Sequence, residues 1–208
     1  MDATPTSSIR RFLAHPSARL ALLGSIVLAA LVSRRPGLLL QPQFWAEDGL
    51  IFYQQAHELG FVPALLNPYA GYLHTLPRLI AGLAQLLPLS AAPLLFNCVG
   101  LVVQSLPAIY VSSSRMEHLA PLRMRLLLAF LYVGVPNVWR VHGNLTNAQW
   151  HLAVLCFLIL IAAAPKSVWA KIFDVTALAM GALTGPFVVI LLPVAAVMAW
   201  ARRDPWAV

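Results

Sequence analysis

Residues 91–111 read AAPLLFNCVGLVVQSLPAIYV, a run without a charged side chain. A helix needs about 20 such residues to cross a bilayer, so this run predicts a full-length membrane span. The whole chain is 60% hydrophobic and 10% charged, whereas soluble domains are about 45–50% apolar and about 25% charged. A soluble fold would have too little polar surface to cover these side chains. The composition therefore predicts an integral membrane protein.

Further apolar runs lie on both sides of this span. Residues 20–32 form one before it, and residues 126–138 and 151–164 follow it. Residues 174–200 form the last run, which Gly185-Pro186 interrupts, so it is interpreted as two short spans or one long kinked span. Residues 75–87 place their leucines on one face with helical spacing, which favours an amphipathic helix lying in the membrane interface.

The basic residues orient these segments, because Lys and Arg concentrate on the cytoplasmic side of membrane proteins. With residues 75–87 lying flat and two spans in the last run, ten of the fourteen Lys and Arg residues are cytoplasmic. If residues 75–87 cross, only four of these basic residues are cytoplasmic and ten lie outside. If the last run is a single span, eight are cytoplasmic and six lie outside. The prediction is an all-α polytopic transmembrane bundle of about six spans, with both ends in the cytoplasm.

This prediction makes the chain a single membrane domain, residues 1–208. Residues 1–17 form a cytoplasmic arm, residues 34–90 the first extracytoplasmic loop with juxtamembrane helices, and residues 91–203 the remaining spans. The net charge of +7 is spread over the ends of apolar runs, which excludes a nucleic-acid-binding stripe. Cys98 and Cys156 lie inside apolar runs without metal-ligand spacing, so they are interpreted as structural.

Polar residues gather in the two predicted outer loops, and Glu47 and Asp48 are the candidate catalytic pair. Either carboxylate could take a proton from an attacking hydroxyl or help to hold a divalent cation. The alternative is that Asp48 is the N-cap of a helix over residues 49–59, with Glu47 beside it favouring the positive end of the helix dipole.

The other candidates would bind substrate. Arg78 and Arg140 suit a phosphate group, although each could equally anchor a helix end at the interface. The stretch 139–151 is rich in amides and aromatic residues, which favours a wall facing a sugar, and its alternative is an ordinary solvated loop. The remaining polar lining consists of Tyr72, His74, His142, Asn147 and Gln149.

These features together resemble the GT-C superfamily of polytopic membrane glycosyltransferases. The resemblance rests on the acidic pair in Trp45-Ala46-Glu47-Asp48-Gly49, on residues 67–72 and on residues 146–150. It implies a sugar donor on a polyprenyl phosphate and an acceptor met at the outer face of a bacterial plasma membrane. Asp48 or Glu47 would then activate the acceptor hydroxyl, Arg78 or Arg140 would stabilise the departing phosphate, and some members also need a divalent cation.

Members of that superfamily generally have more spans than six. The resemblance therefore implies that this chain is a fragment or a truncated form, or that a protein partner completes its site. Two other functions stay open: a lipid-linked sugar transporter or flippase, and a non-enzymatic membrane subunit of a larger assembly. A transporter needs ionisable residues at mid-membrane depth, whereas Asn97 and Gln104 are uncharged.

Overall fold

The computed structural model describes residues 16–136 and 139–202, and this part of the chain is all-helical, without a β-strand. The predicted cytoplasmic arm falls almost wholly outside it, as does Arg203. Six long helices carry the architecture: α1 (Pro16–Arg34), α6 (Ala92–Ser112), α7 (Leu122–Gly134), α8 (Ala148–Ile161), α9 (Val168–Thr184) and α10 (Phe187–Arg202). Between α1 and α6 come α2 (Gly37–Leu40), a π-helical segment (Asp48–Tyr53) that continues into α3 (Gln54–Leu59), α4 (Phe61–Leu66) and α5 (Thr75–Ala84). A 3₁₀ turn, Ser114–Met116, follows α6.

Hydrogen bonds at the helix termini show that the long helices run alternately up and down. Arg34, at the end of α1, donates to the carbonyls of Val133 and Val135 at the end of α7. Thr75 donates to Leu183 at the end of α9 at 2.9 Å. These termini, together with the π-helical segment, lie at one end of the bundle, which we call the Asp48 end.

The opposite end, called the Arg115 end, is held together mainly by arginines. Arg125, which is buried, donates to the carbonyls of Ser112 and Ser113 and so satisfies the last turn of α6. Arg115 forms an ion pair with Asp174 at 2.7 Å. Arg202 donates to the carbonyls of Leu160 and Ala162. Helix C-termini leave carbonyls without partners inside the helix, and cationic side chains are well suited to satisfy them.

Gly185-Pro186 divides the last apolar run into α9 and α10, so the interpretation with two segments agrees with the observed helices. By length and composition, only Ala92–Ser112 among the described helices could cross a membrane. Three shorter helices are also apolar: Thr75–Ala84, Ala148–Ile161 and Phe187–Arg202. The predicted helices are therefore present, while their number as membrane spans stays a prediction.

Helix α5 is amphipathic as predicted, but only part of its apolar face is turned away from the protein, because Ile80 is buried and Leu76 packs against the core. Leu83 is 52% exposed, whereas Arg78, Ala81 and Ala84 on the opposite face are buried. The small side chains allow α5 to pack closely, and Arg78 finds its hydrogen-bond partners inside the fold. Leu86 and Leu87, which follow the helix, are exposed as well, and the position of α5 in a membrane interface stays a prediction.

The loop between α7 and α8 enters the bundle. His142, Asn144 and Leu145 are buried, and Gly143 contacts α6 at Gly100, about 12 Å beyond the start of that helix at 1.5 Å per residue. A Cβ atom on Gly100 would lie 2.8 Å from the backbone of Gly143, which itself has φ +66°. Both positions therefore require glycine. We call residues 139–147 the inserted loop, and the interpretation of this stretch as an ordinary solvated loop is wrong.

Candidate functional site

Asp48 begins the π-helical segment, and its carboxylate connects that segment to the inserted loop. Its Oδ1 accepts hydrogen bonds from the Thr146 backbone N–H at 2.8 Å and from the Thr146 hydroxyl at 2.7 Å, and its Oδ2 accepts one from the Leu145 N–H at 3.1 Å. The side chain is fully buried. The helix-capping interpretation is wrong, because this carboxylate satisfies backbone donors of a distant loop and no donor of its own helix.

The environment of Asp48 predicts a pH-dependent stability. Burial raises its pKa from 3.8 to about 7, against the opposing effect of the Thr146 and Leu145 donors. Because this pKa is higher in the folded than in the unfolded chain, the folded state binds more protons between about pH 4 and about pH 7. The contribution of Asp48 to the free energy of unfolding therefore falls as the pH rises through this window, by on the order of 4 kcal/mol in total.

We expect the melting temperature of the wild type to fall more between about pH 4.5 and about pH 7.5 than that of Asp48→Asn, which lacks this titration. Burial lowers the pKa values of His74 and His142, and these groups act with the opposite sign. Since both histidines are present in both proteins, the difference between the two slopes isolates Asp48. Equal slopes for the two proteins would contradict the prediction.

Glu47 differs from its neighbour. Its side chain is partly exposed, and within the described residues it makes no hydrogen bond or ion pair. Its negative charge acts on both Asp48 and His74, in each case raising the pKa of the neighbouring group as a smaller effect than burial. Of the predicted catalytic pair, Glu47 is thus the carboxylate that can meet a substrate.

A tight turn at residues 69–72 assembles the aromatic part of the site. Tyr69 and Tyr72 exchange two backbone hydrogen bonds, with positive φ at Ala70 and Gly71, as in the turns that close β-hairpins. His74 also has positive φ, +52°, which is uncommon for a residue with a side chain. Its ring stacks on Tyr72 with centroids 3.9 Å apart. The strained conformation places a buried imidazole against Tyr72 and Phe52, within range of the charge of Glu47.

Arg78 lies beneath this cluster. Its guanidinium is 5.3 Å from the ring centroid of Phe52 and donates to Gln55 and to the carbonyls of Leu73 and Ala64. The residue is 1% exposed, and its Nη2 has no hydrogen-bond partner among the described residues. Arg78 therefore holds α5 against α4 and the π-helical segment, and it is closed to a phosphate in this conformation.

The other predicted binding residues are divided between the interior and the surface. His142 is buried, with Nδ1 bonded to Gln104 and Nε2 to the Leu31 carbonyl. Asn147 bonds Asn144 and the Arg140 carbonyl. Gln149 is buried with no partner for its Oε1 among the described residues. The side chain of Arg140 is exposed, with its guanidinium over Trp139, so these residues do not form one wall with Glu47.

A divalent cation does not fit the acidic pair. Both oxygens of Asp48 already accept hydrogen bonds from the inserted loop, which leaves a single free carboxylate, whereas Mg²⁺ and Ca²⁺ sites need several oxygen ligands. In the described ranges, no three His, Cys, Asp or Glu side chains come together as a metal site would require.

Sequence reasoning missed the partners of Asp48. Thr146 and the backbone of Leu145 carry no pattern that points to residue 48, because backbone donors are the same at every position. Gln104 was identified only as an uncharged residue of a span, yet its Oε1 accepts from Gly143 and its Nε2 bonds His142. A polar residue in an apolar run is a sign of such a buried contact.

Comparison with protein-family models, with curated proteins and with solved structures finds no match to this chain.

Proposed function

We propose that this chain is a GT-C-like membrane glycosyltransferase, or the N-terminal portion of one, which moves a sugar from a polyprenyl-phosphate donor to an acceptor at the outer face of the membrane. The observation that carries the proposal is the partly exposed Glu47 beside the buried Asp48, with the charge of Glu47 acting on His74, whose ring stacks on Tyr72. A free carboxylate at the edge of an ordered aromatic cluster is suited to take a proton from a hydroxyl.

In this proposal Glu47 removes the proton of the acceptor hydroxyl as its oxygen attacks the anomeric carbon. The bond between that carbon and the phosphate oxygen breaks with inversion, and polyprenyl phosphate leaves with the bonding electron pair. Asp48 acts as a positioning residue, because its hydrogen bonds fix the start of the π-helical segment, directly after Glu47.

The membrane location and the six spans belong to the same proposal, and two observations support them. No residue of α10 is buried, and large apolar side chains such as Ile190 and Trp200 are exposed on it. Seven basic residues lie at the Arg115 end, namely Arg19, Arg115, Arg123, Arg125, Lys166, Lys171 and Arg202, and four lie at the other, namely Arg34, Arg35, Arg78 and Arg140. Exposed apolar helices with basic residues mainly at one end are typical of a polytopic protein with that end in the cytoplasm.

Cysteine labelling tests this orientation. In a chain with Cys98 and Cys156 replaced by alanine, single cysteines are placed at the exposed positions Pro68 and Glu117. We expect a membrane-impermeant maleimide added to intact cells to modify the cysteine at position 68, and to modify the one at position 117 only after permeabilisation. Modification of position 117 in intact cells would overturn the proposed function, since Glu47 would then face the cytosol.

A non-enzymatic membrane subunit remains a second candidate, favoured by the uncovered surface of α10. The two functions are separated by incubating the purified full chain with a labelled polyprenyl-phosphate sugar and candidate acceptors. A transferase releases polyprenyl phosphate in a reaction that depends on Glu47, whereas a subunit binds another protein without turnover.

A further inference from the structure

A cavity of about 390 Å³ opens at the Asp48 end, between α2, the segment 41–45 that follows it, and α6. Its volume is at the lower end of the range for ligand pockets, roughly 300–1,000 Å³, which suits a small polar molecule. None of the residues predicted to bind substrate lines it, and Asn144 of the inserted loop forms part of the wall. An apolar groove of similar size lies elsewhere, between α8, α9 and α10.

Arg35 gives the cavity its charge. The guanidinium lies 5.9 Å from the ring centroid of Trp45, and its one hydrogen bond, to the Trp139 carbonyl, is long at 3.4 Å. No Asp or Glu lines the cavity, and Arg35 has no ion-pair partner in the part of the chain that the structure describes. A partly buried arginine most of whose donors have no partner among the described residues favours an anion such as phosphate.

The rest of the lining combines amides with aromatic rings. Asn97 is 1% exposed, and its Nδ2 donates to the carbonyls of Leu38 and Gln43. Asn97 also lines the cavity. The side chains of Gln41 and Gln43 are exposed and make no hydrogen bond with the described residues. These amides offer both donors and acceptors to hydroxyl groups, while Trp45 offers a flat apolar surface.

We propose that this cavity binds a phosphorylated monosaccharide, with the phosphate on Arg35, the sugar ring against Trp45 and the hydroxyls on Gln41, Gln43 and Asn97. Insofar as that ligand is the headgroup of the donor, the proposal rests on the proposed function. Trp45 precedes the proposed base Glu47 by two residues, although Glu47 itself does not line the cavity. The same chemistry is carried by a free sugar phosphate and by a lipid-linked one, and the experiment separates these sources.

The test is calorimetric titration of the purified full chain in detergent with glucose 1-phosphate, mannose 1-phosphate, inorganic phosphate, and a short-chain isoprenyl phosphoglucose. We expect at least one phosphorylated sugar to bind, and Arg35→Gln to raise its Kd about tenfold or more through loss of charge-assisted hydrogen bonds. Arg123→Gln, which removes the same charge from an exposed site at the Arg115 end, leaves the Kd unchanged. Binding of the isoprenyl compound alone assigns the site to the lipid-linked form.

Melting temperatures identify any variant that fails to fold, and in that case Gln43→Ala replaces Arg35→Gln, with an expected severalfold rise in Kd from one lost amide contact. Absence of binding by all the phosphorylated sugars, the isoprenyl compound included, or equal affinity of Arg35→Gln and wild type, overturns the inference. Arg35-dependent binding without any sugar transfer refutes the proposed function alone. Transfer by Arg35→Gln with an unchanged KM for the lipid-linked donor refutes the cavity assignment alone.

Discussion

Glu47→Gln is expected to lower the rate of sugar transfer at least about 100-fold, the usual contribution of a general base. The substitution keeps the size and hydrogen-bonding capacity of the side chain and removes only its ability to accept a proton from the acceptor hydroxyl. Glu47 makes no hydrogen bond with the described part of the chain, so the melting temperature is expected to stay the same. The measurement is the release of labelled sugar from a polyprenyl-phosphate donor by the purified full chain.

The matched control is Glu58→Gln, which changes another carboxylate of the same loop to an amide. Glu58 is exposed and accepts one hydrogen bond, from Gln54 at 2.8 Å, and its variant is expected to transfer sugar at the wild-type rate. Wild-type activity in Glu47→Gln would refute the assignment of the base. Activity lost only together with folding would make Glu47 a structural residue and give the same refutation.

Asp48→Ala is expected to destabilise the protein by at least about 3 kcal/mol, because it leaves the backbone N–H groups of Leu145 and Thr146 buried without acceptors. Each unsatisfied buried donor costs about 1–3 kcal/mol, and the Thr146 hydroxyl loses its partner as well. The measurement is thermal or denaturant unfolding in detergent, followed by circular dichroism.

Two control variants show how much of the destabilisation comes from the hydrogen bonds of Asp48. Thr146→Val removes only one of the three hydrogen bonds and is expected to cost about 1 kcal/mol. Glu58→Ala removes an exposed carboxylate and is expected to have little effect. If Asp48→Ala unfolds at the same temperature as Glu58→Ala, the hydrogen bonds between Asp48 and the inserted loop do not contribute to stability.

Helix positions were predictable from sequence because apolar runs and breakers act locally. The run at residues 91–111 is α6 within one residue at each end, and Gly185-Pro186 separates two helices. The contacts of single polar residues were not predictable in this way. Asp48 and Thr146 are 98 residues apart, and nothing in either neighbourhood identifies the other, so the carboxylate resembled a helix cap.

The sequence pattern also did not predict whether a polar side chain faces water or the protein interior. An arginine on the polar face of a short amphipathic helix is expected to meet water, yet Arg78 is buried, where its Nε and Nη1 donate to Gln55 and two backbone carbonyls. The Arg35 cavity was missed for a related reason. Its wall combines α2, α6 and the inserted loop, and no single stretch of sequence contains its chemistry.

The bond between Asp48 and the inserted loop sets an order of events during synthesis. The Leu145 N–H that Asp48 must bind lies 97 residues further along the chain, which a ribosome adds in roughly 5–20 s. During that interval the π-helical segment exists without the hydrogen-bond donors that Asp48 binds in the folded protein. The proposed site at Glu47 and Asp48 therefore forms late, only after α7 has been made and the nascent chain has reached α8.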